Sequence, residues 1–429
     1  MKLIPQPQQI APLPGQYRIT YRDRITLDAG CSPAAYTYAK LLAGELEKST
    51  GLSLLIDRRT ARSHPGIHLR QSPELEQSLG KESYEIGITP QGVEITGSGD
   101  AGLLHGVQTL RQIVRQEGPC LPCLSLKDNP ALPVRGLFYD VTRGRIPTTA
   151  FLKELADRCS YYKINQLHLY MEHTFLFDGF SEVWRDDTPL TPADILELDA
   201  YCRSLQIDLV PSIATLGHLY KVLRTKSYRH LSEIEEADGV PFSFYQRMCH
   251  HTLNTTDEAS LSLVYGMIDE FLPLFTSHLF NINGDEPFDL GRGRGKDRAD
   301  QTGSHRMYVE WIRKICRHVE AQGKQPMFFG DIILAQPETL QELPKDVICM
   351  NWDYAPEPRK ESAYQLWSQG ANQYLCPGVQ GWKQTINRLD IAYANIKNMA
   401  TLAHTYQAAG LLVTEWGDFG HLQDPESST

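Results

Sequence analysis

Two adjacent acids, Asp285 and Glu286, directly follow an apolar run of the chain, Leu279–Gly284. Neighbouring side chains on an extended backbone point to opposite sides, so the two carboxylates cannot have the same task. One can address a reacting centre while the other supports it. A neighbouring carboxylate and apolar surroundings raise the pKa of an acid towards neutrality, as general acid catalysis requires. The other interpretation of the pair is the start of a solvated acidic loop.

Acids and tryptophans also occur at the ends of other β-rich runs. Sugar rings need carboxylates and arginine for hydrogen bonds to their hydroxyls, and flat aromatic faces against which their C–H groups pack. For each tryptophan the alternative is a place in the hydrophobic core. The residues in this set are Arg135, Asp140, Glu172, His173, His218, Asp331, Trp352, Asp353, Tyr354, Trp382, Glu415, Trp416 and Asp418.

β-rich runs alternate with amphipathic stretches of helix length over residues 131–429, which predicts parallel βαβ units. The eight runs are Arg135–Val141, Gln166–Met171, Ile207–Ile213, His278–Gly284, Met327–Ile333, Val347–Asp353, Gln373–Gly378 and Gly410–Trp416. Eight such units predict an α/β fold, a (β/α)₈ TIM barrel, with its chemistry at the carboxyl ends of the strands. An open doubly wound sheet would need a phosphate-binding glycine turn after the first run, where the sequence reads FYDVTRGRIP.

Residues 1–130 are predicted to form a small α+β domain. Helical periodicity covers Ala35–Lys48 and Ala101–Val114, with Asp100 as the expected N-cap of the second helix. Short strand patterns lie between them, and the proline-rich stretch Glu117–Pro133 reads as a surface connector. The domain boundary is therefore expected near residue 130.

The eighth helix of the barrel is missing from the pattern. After Trp416 only GDFGHLQDPESST follows, which is too short and too polar to cover the last strand. Either the chain is a truncation or another surface, such as that of a second copy in a homodimer, covers the gap.

Composition excludes several classes of protein. Lys and Arg number 42 and Asp and Glu 52, so the net charge is −10 and nucleic acid is not an expected partner. There is no apolar run of 18 residues, and the amino-terminal segment does not read as a signal peptide, so no membrane association is expected. Nine irregularly spaced cysteines favour a reducing, cytoplasmic location.

Several motifs together resemble glycoside hydrolase family 20, the β-N-acetylhexosaminidases. In chain order they are Arg135-Gly-Leu-Phe-Tyr-Asp140, Lys163-Ile-Asn165, Gly217-His218, Gly284-Asp-Glu286 and Trp416-Gly-Asp418. This is also their order in that family. The first domain also resembles the amino-terminal domain of the family, most clearly over Gly97–Val114. The resemblance covers nearly the whole chain.

The resemblance implies a retaining exo-glycosidase that removes N-acetyl-β-D-hexosamine residues by substrate-assisted catalysis, without a metal or cofactor. By the same resemblance, Glu286 is the general acid and base, and Asp285 holds the 2-acetamido group whose carbonyl oxygen attacks C1 to give an oxazoline-type intermediate. Arg135 and Asp418 are expected to bind sugar hydroxyls, and His218 to belong to the network near the acid. Trp352, Trp382 and Trp416 are expected to wall the pocket.

The chain departs from the family pattern at two points. After strand five it reads Phe328-Phe329-Gly330-Asp331 where many members have a tryptophan. The tyrosine expected after strand seven, a donor to the acetamido oxygen, is absent, and Tyr354 is the candidate replacement.

Two other function classes stay open. One is a carbohydrate-binding, catalytically silent barrel. The other is a metal-dependent barrel hydrolase that uses His173, His218 and aspartates.

Overall fold

The computed structural model describes residues 1–60, 65–234 and 251–418. These residues form two compact units. The first contains the described residues of 1–133 together with 155–165 and 202–207, and the second contains the other described residues.

A mixed seven-stranded sheet forms the centre of the first unit, with strand order β1-β7-β5-β6-β4-β2-β3. Strands β5 and β6 alternate buried and more exposed residues, as expected when one face of a sheet packs on a core. The strands are β1 (Gln9–Arg18), β2 (Arg24–Asp28), β3 (Leu55–Arg59), β4 (Gly66–Gln71), β5 (Tyr84–Thr89), β6 (Gly92–Gly97) and β7 (Cys120–Asp128). The helices are α1 (Ala35–Thr50), α2 (Pro73–Leu79) and α3 (Asp100–Glu117).

The prediction of a surface connector over Glu117–Pro133 is wrong, because most of this stretch forms β7. This strand pairs antiparallel with β1 and with β5. Asp100 is also not the N-cap of α3: it is the first helical residue, and Gly99 holds the cap position. An acid in the first turn still complements the positive end of the helix dipole.

Eight parallel strands close into a barrel in the second unit, which confirms the predicted fold class. All the predicted β-rich runs overlap these strands. In chain order the strands are β8 (Arg135–Asp140), β9 (Gln166–Met171), β10 (Asp208–Ile213), β11 (Leu279–Asn281), β12 (Gln325–Phe329), β13 (Ile348–Trp352), β14 (Asn372–Cys376) and β15 (Gly410–Glu415).

The helices between the barrel strands differ in length. They are α4 (Thr149–Tyr161), α5 (Ser181–Trp184), α6 (Pro192–Ser204), α7 (Tyr220–Leu223), α8 (Glu258–Phe271), α9 (Lys296–Thr302), α10 (Ser304–Ala321), α11 (Lys360–Ser368) and α12 (Leu389–Thr405). Short 3₁₀ helices cover Arg229–Leu231, Leu272–Leu274, Ile333–Ala335 and Pro337–Glu342. The absence of an eighth helix was predicted from residues 417–429. Of these, residues 419–429 lie outside the described residues.

The interior of the barrel is filled by side chains, not open. Phe138, Met327, Met350 and Leu412 belong to one buried cluster drawn from several strands. Central parallel strands are buried on both faces, and accordingly every residue of β9 and all but the first residue of β12 are buried. The packed interior leaves the loops at the carboxyl ends of the strands to carry the polar residues. No helix in the described ranges is both long and apolar enough to cross a membrane.

Candidate active site

A tight turn at the end of β11 presents Asp285 and Glu286. Asn283, Gly284 and Glu286 all have positive φ, at 53°, 82° and 46°. Glycine suits this position because its φ of 82° lies in the left-handed region, which a residue with a Cβ adopts only at a cost. A positive φ is costly for glutamate, and such strain persists only where the surrounding structure imposes it. Asp285 is buried, while the side chain of Glu286 is 32% exposed.

His218, which follows β10, joins the two acids. Its Nε2 atom lies 3.4 Å from Oδ2 of Asp285 and 3.6 Å from Oε2 of Glu286. Its Nδ1 atom lies 3.3 Å from a guanidinium nitrogen of Arg143. Arginine only donates, so Nδ1 of the neutral imidazole accepts and Nε2 carries its hydrogen towards the acids.

The electrostatics of these groups suit proton transfer. Burial is the largest influence on Glu286 and raises the pKa of its carboxyl above the usual value; Asp285 adds to the rise, while His218 and Arg143 oppose it. Burial opposes protonation of His218, but the negative charges of Asp285 and Glu172 outweigh it and raise the histidine pKa. Glu286 therefore holds its proton to higher pH than an exposed glutamate does.

A second group of charges, the arginine cluster, surrounds Arg143 in the loop after β8. The buried guanidinium lies 3.1 Å from Asp140, 3.0 Å from Glu172 and 3.4 Å from Asp418. Asp140 ends β8, Glu172 follows β9 and Asp418 follows β15. These three strands are neighbours in the barrel. The guanidinium also lies 4.9 Å from the ring centre of Tyr170 and 5.2 Å from that of Trp416. The guanidinium of Arg143 thus contacts three carboxylates and two aromatic rings.

The structure corrects the position predicted for Arg135. This residue is the first of β8 and pairs in register with Leu411, near the start of β15. It therefore lies at the amino end of the barrel, opposite Asp285 and Glu286. Arg143, eight residues later and past the carboxyl end of the same strand, reaches His218, the histidine that lies beside Asp285 and Glu286. Arg143 was missed in the sequence because the candidate residues were taken from strand ends, and Arg143 lies in the loop between β8 and α4.

The predicted aromatic residues do come together, around Tyr354. Trp352 stacks on Tyr354 with ring centres 5.2 Å apart, and Trp382 meets the same ring at 4.9 Å. The indole N–H of Trp416 donates to the Tyr354 hydroxyl at 2.7 Å. Gly378 allows this approach, since a Cβ there would lie 2.6 Å from Trp382 and 2.9 Å from Tyr354.

Trp416 also belongs to the interior of the barrel. It is 8% exposed and packs on Phe138 at 4.9 Å between ring centres. Trp416 is therefore part of the barrel core and also contacts the aromatic group around Tyr354, and its role as a wall of the site stays a prediction.

The three-residue group His218, Asp285 and Glu286 also has metal-site spacing, with one ligand atom from each within 4.8 Å of the others. His173 is not part of that group; its Nδ1 atom lies 3.8 Å from Glu172. Imidazole nitrogen and carboxylate oxygen are both ligand types that zinc accepts. The metal-dependent alternative therefore needs a direct test with a chelator.

Comparison with known families covers most of the chain. Residues 1–129 match glycosyl hydrolase family 20, domain 2, and residues 133–410 match the catalytic domain of the same family.

Individual relatives agree with these matches. A β-hexosaminidase of Akkermansia muciniphila is 32% identical over 184 residues, which are 38% of this chain and 36% of that protein. A lacto-N-biosidase of Bifidobacterium bifidum is 24% identical over 417 residues, 91% of this chain and 35% of that protein. The chain thus spans about a third of the length of both relatives.

Solved structures show the same fold. The GH20 β-N-acetylhexosaminidase from Streptomyces coelicolor A3(2) matches with a TM-score of 0.77 at 23% identity, over 98% of this chain and 87% of that one.

Proposed function

Because the chain belongs to glycosyl hydrolase family 20, we propose that it is an exo-acting β-N-acetylhexosaminidase that cleaves terminal N-acetyl-β-D-hexosamine residues with retention of configuration. One observation carries the proposal. Asp285 and Glu286 both lie within 3.6 Å of His218, and Oδ1 of Asp285 is buried without a hydrogen-bond partner among the described residues. A buried carboxylate oxygen without a donor is costly unless a ligand supplies one.

The missing donor is the N–H of the substrate's 2-acetamido group. By accepting it, Asp285 orients the acetamido carbonyl oxygen towards C1 of the sugar. That oxygen forms the new bond to C1 as the glycosidic bond breaks. Glu286 gives its proton to the departing oxygen and then takes a proton from the water that opens the oxazoline. Orientation of a nucleophile within one molecule is worth roughly 7–11 kcal/mol.

The remaining groups hold the sugar. Arg143 and Asp418, 3.4 Å apart, offer a donor and an acceptor to ring hydroxyls. The rings of Trp352, Trp382 and Tyr354 offer apolar faces to its C–H groups. The Tyr354 hydroxyl accepts from Trp416 and also hydrogen-bonds with Thr414, so a ligand that takes the Tyr354 hydrogen replaces Thr414 as its partner. We assign that hydrogen to the acetamido oxygen.

A chromogenic N-acetyl-β-glucosaminide tests the proposal. We expect release of the aglycone at the same rate with and without EDTA, and a first product of β configuration by NMR. Binding of the sugar without turnover would favour the catalytically silent barrel. Activity that EDTA removes and a divalent ion restores would favour the metal-dependent hydrolase.

A further inference from the structure

A third carboxyl, that of Asp331, lies beside the catalytic turn. It follows the end of β12, the strand that pairs with β11. Its Oδ2 atom accepts the backbone N–H of Glu286 at 3.2 Å. A second bond between the same segments runs from the N–H of Phe329 to the carbonyl oxygen of Asn283 at 2.9 Å. Together these bonds brace the turn whose residues Asn283 and Glu286 have positive φ.

In the described part of the chain, the largest influences on the charge of Asp331 are burial and neighbouring acids, with no cation among them. The groups that face it are Asp285 and Glu286 from the end of β11, Tyr308 from α10 and Cys349 from β13. Its Oδ1 atom is buried and has no hydrogen-bond partner among the described residues. Three carboxylates in one buried place cannot all ionise cheaply, because like charges repel and burial disfavours each of them.

We propose that Asp331 is a positioning residue for the hydrolysis, and that it acts as a neutral carboxyl: Oδ2 holds the main chain of Glu286, and Oδ1 carries the hydrogen. The inference rests on the proposed function, since it takes Glu286 as the acid. It gives a role to Asp331, which the sequence indicates only as part of a segment that departs from the family pattern.

The charge state agrees with this geometry. Burial is the largest influence on Asp331, followed by the charge of Asp285, and together they raise its pKa to about 8. A neutral carboxyl in this place leaves Glu286 free to lose its proton to the departing oxygen without forming a third adjacent anion. An ionised Asp331 would oppose that loss.

Asp331→Asn tests the neutral state. The amide keeps an acceptor for the Glu286 N–H and cannot ionise. We expect kcat within about threefold of the native value, and an unchanged midpoint for the alkaline limb of the kcat/KM profile, which reports loss of the Glu286 proton. A midpoint lower by about one pH unit would show that native Asp331 is ionised and would overturn the inference.

Asp208→Asn is the matched control. Asp208 is also an aspartate whose pKa is raised, chiefly by burial, but it begins β10 at the amino end of the barrel. Its replacement should leave the alkaline midpoint where it is.

Asp331→Ala tests the positioning role. Loss of the acceptor for the Glu286 N–H should lower kcat about tenfold or more at every pH, with KM within about twofold. Asparagine should restore the rate. If the alanine variant does not fold, Asp331→Leu, which fills a similar volume without an acceptor, replaces it. Native kcat in the folded variant would overturn the positioning role.

Infrared spectroscopy gives a measurement that needs no substrate. The native protein minus Asp331→Asn should show the C=O band of a protonated carboxyl at pH 6.5 that disappears by about pH 9.5. Absence of the band at pH 6.5 would contradict a neutral Asp331. This result stands even if the native protein proves inactive on N-acetylhexosaminides, so the two proposals can fail separately.

Discussion

Two groups of carboxylates share the carboxyl end of the barrel and differ in what balances them. In the arginine cluster, Asp140, Glu172 and Asp418 surround one guanidinium within 3.4 Å. Burial opposes the charge of Arg143, but the surrounding negative groups outweigh it and raise the arginine pKa further. In the acid cluster, made of Asp285, Glu286 and Asp331, burial and mutual repulsion raise the pKa of both Glu286 and Asp331.

The comparison shows how one residue type acquires two tasks within one site. Carboxylates paired with a buried cation accept charge-assisted hydrogen bonds, which suits the binding of hydroxyls. Carboxylates crowded against each other keep a proton, which suits transfer to a leaving group. Arg143 links the two clusters, because it reaches His218 as well as its own three acids.

The largest effect is expected from Glu286→Gln, which keeps the shape of the acid cluster and removes its transferable proton. Turnover of a natural disaccharide should fall about 10²–10⁴-fold, and less for an activated aryl glycoside. Glu270→Gln is the control, since burial also raises the pKa of Glu270, which lies on α8 and accepts the N–H of Asp178. Equal activity of Glu286→Gln and native protein on the disaccharide would remove Glu286 as the acid.

Arg143→Lys should break the arginine cluster without removing its charge. Lysine cannot present the planar fork that contacts Asp140, Glu172 and Asp418 at once. We expect kcat/KM to fall about 10–100-fold, mainly through KM. Arg135→Lys, at the other end of β8, should leave KM within about twofold of native. Reversal of these two results in Michaelis–Menten kinetics would restore Arg135 as the sugar-binding arginine.

Trp416→Ala should affect both binding and stability, because the side chain contacts Arg143 and Tyr354 of the site and also Phe138 of the barrel core. We expect KM to rise several-fold and Tm to fall by several degrees. Trp352→Ala should raise KM with a smaller loss of Tm, since Trp352 is only partly buried. An unchanged KM in Trp416→Ala would make Trp416 a core residue alone.

The smallest effect concerns stability and pH. Burial and then Asp285 raise the pKa of Asp331 in the folded protein to about 8, above its unfolded value, so the native fold loses stability as pH rises towards 8. The asparagine in Asp331→Asn cannot ionise, so the variant does not lose this stability as pH rises. The Tm of the variant minus that of the native protein should therefore increase from pH 5 to pH 8 in calorimetry. A constant difference would mean that Asp331 has an ordinary pKa.

The sequence predicted the barrel well because buried parallel strands leave a strong pattern. The run Gln166–Met171 coincides with β9, and Gly410–Trp416 extends one residue beyond β15. β1 and β7 were missed because they contain prolines, which usually interrupt strands; β1 is an edge strand with an irregularity between Pro12 and Gln16.

The site was predictable only in part. Asp285, Glu286, Trp352 and Trp416 lie at or shortly after strand ends, where the active site of a TIM barrel is expected. Arg135 stands at a strand start, and the direction of β8 excludes it once the fold is known. The tasks of Arg143 and Asp331 depend on which loop atoms meet across neighbouring strands, and residue spacing along one chain does not contain that information.

The requirement for the 2-acetamido group tests the central claim most directly. The measurement is the ratio of kcat/KM for a 4-nitrophenyl N-acetyl-β-glucosaminide to that for the matching β-glucoside. If Asp285 orients a nucleophile that the substrate supplies, the ratio should exceed about 10³, since the glucoside has no such group to orient. Comparable rates on the two substrates would contradict the account, and would point to a nucleophile supplied by the protein.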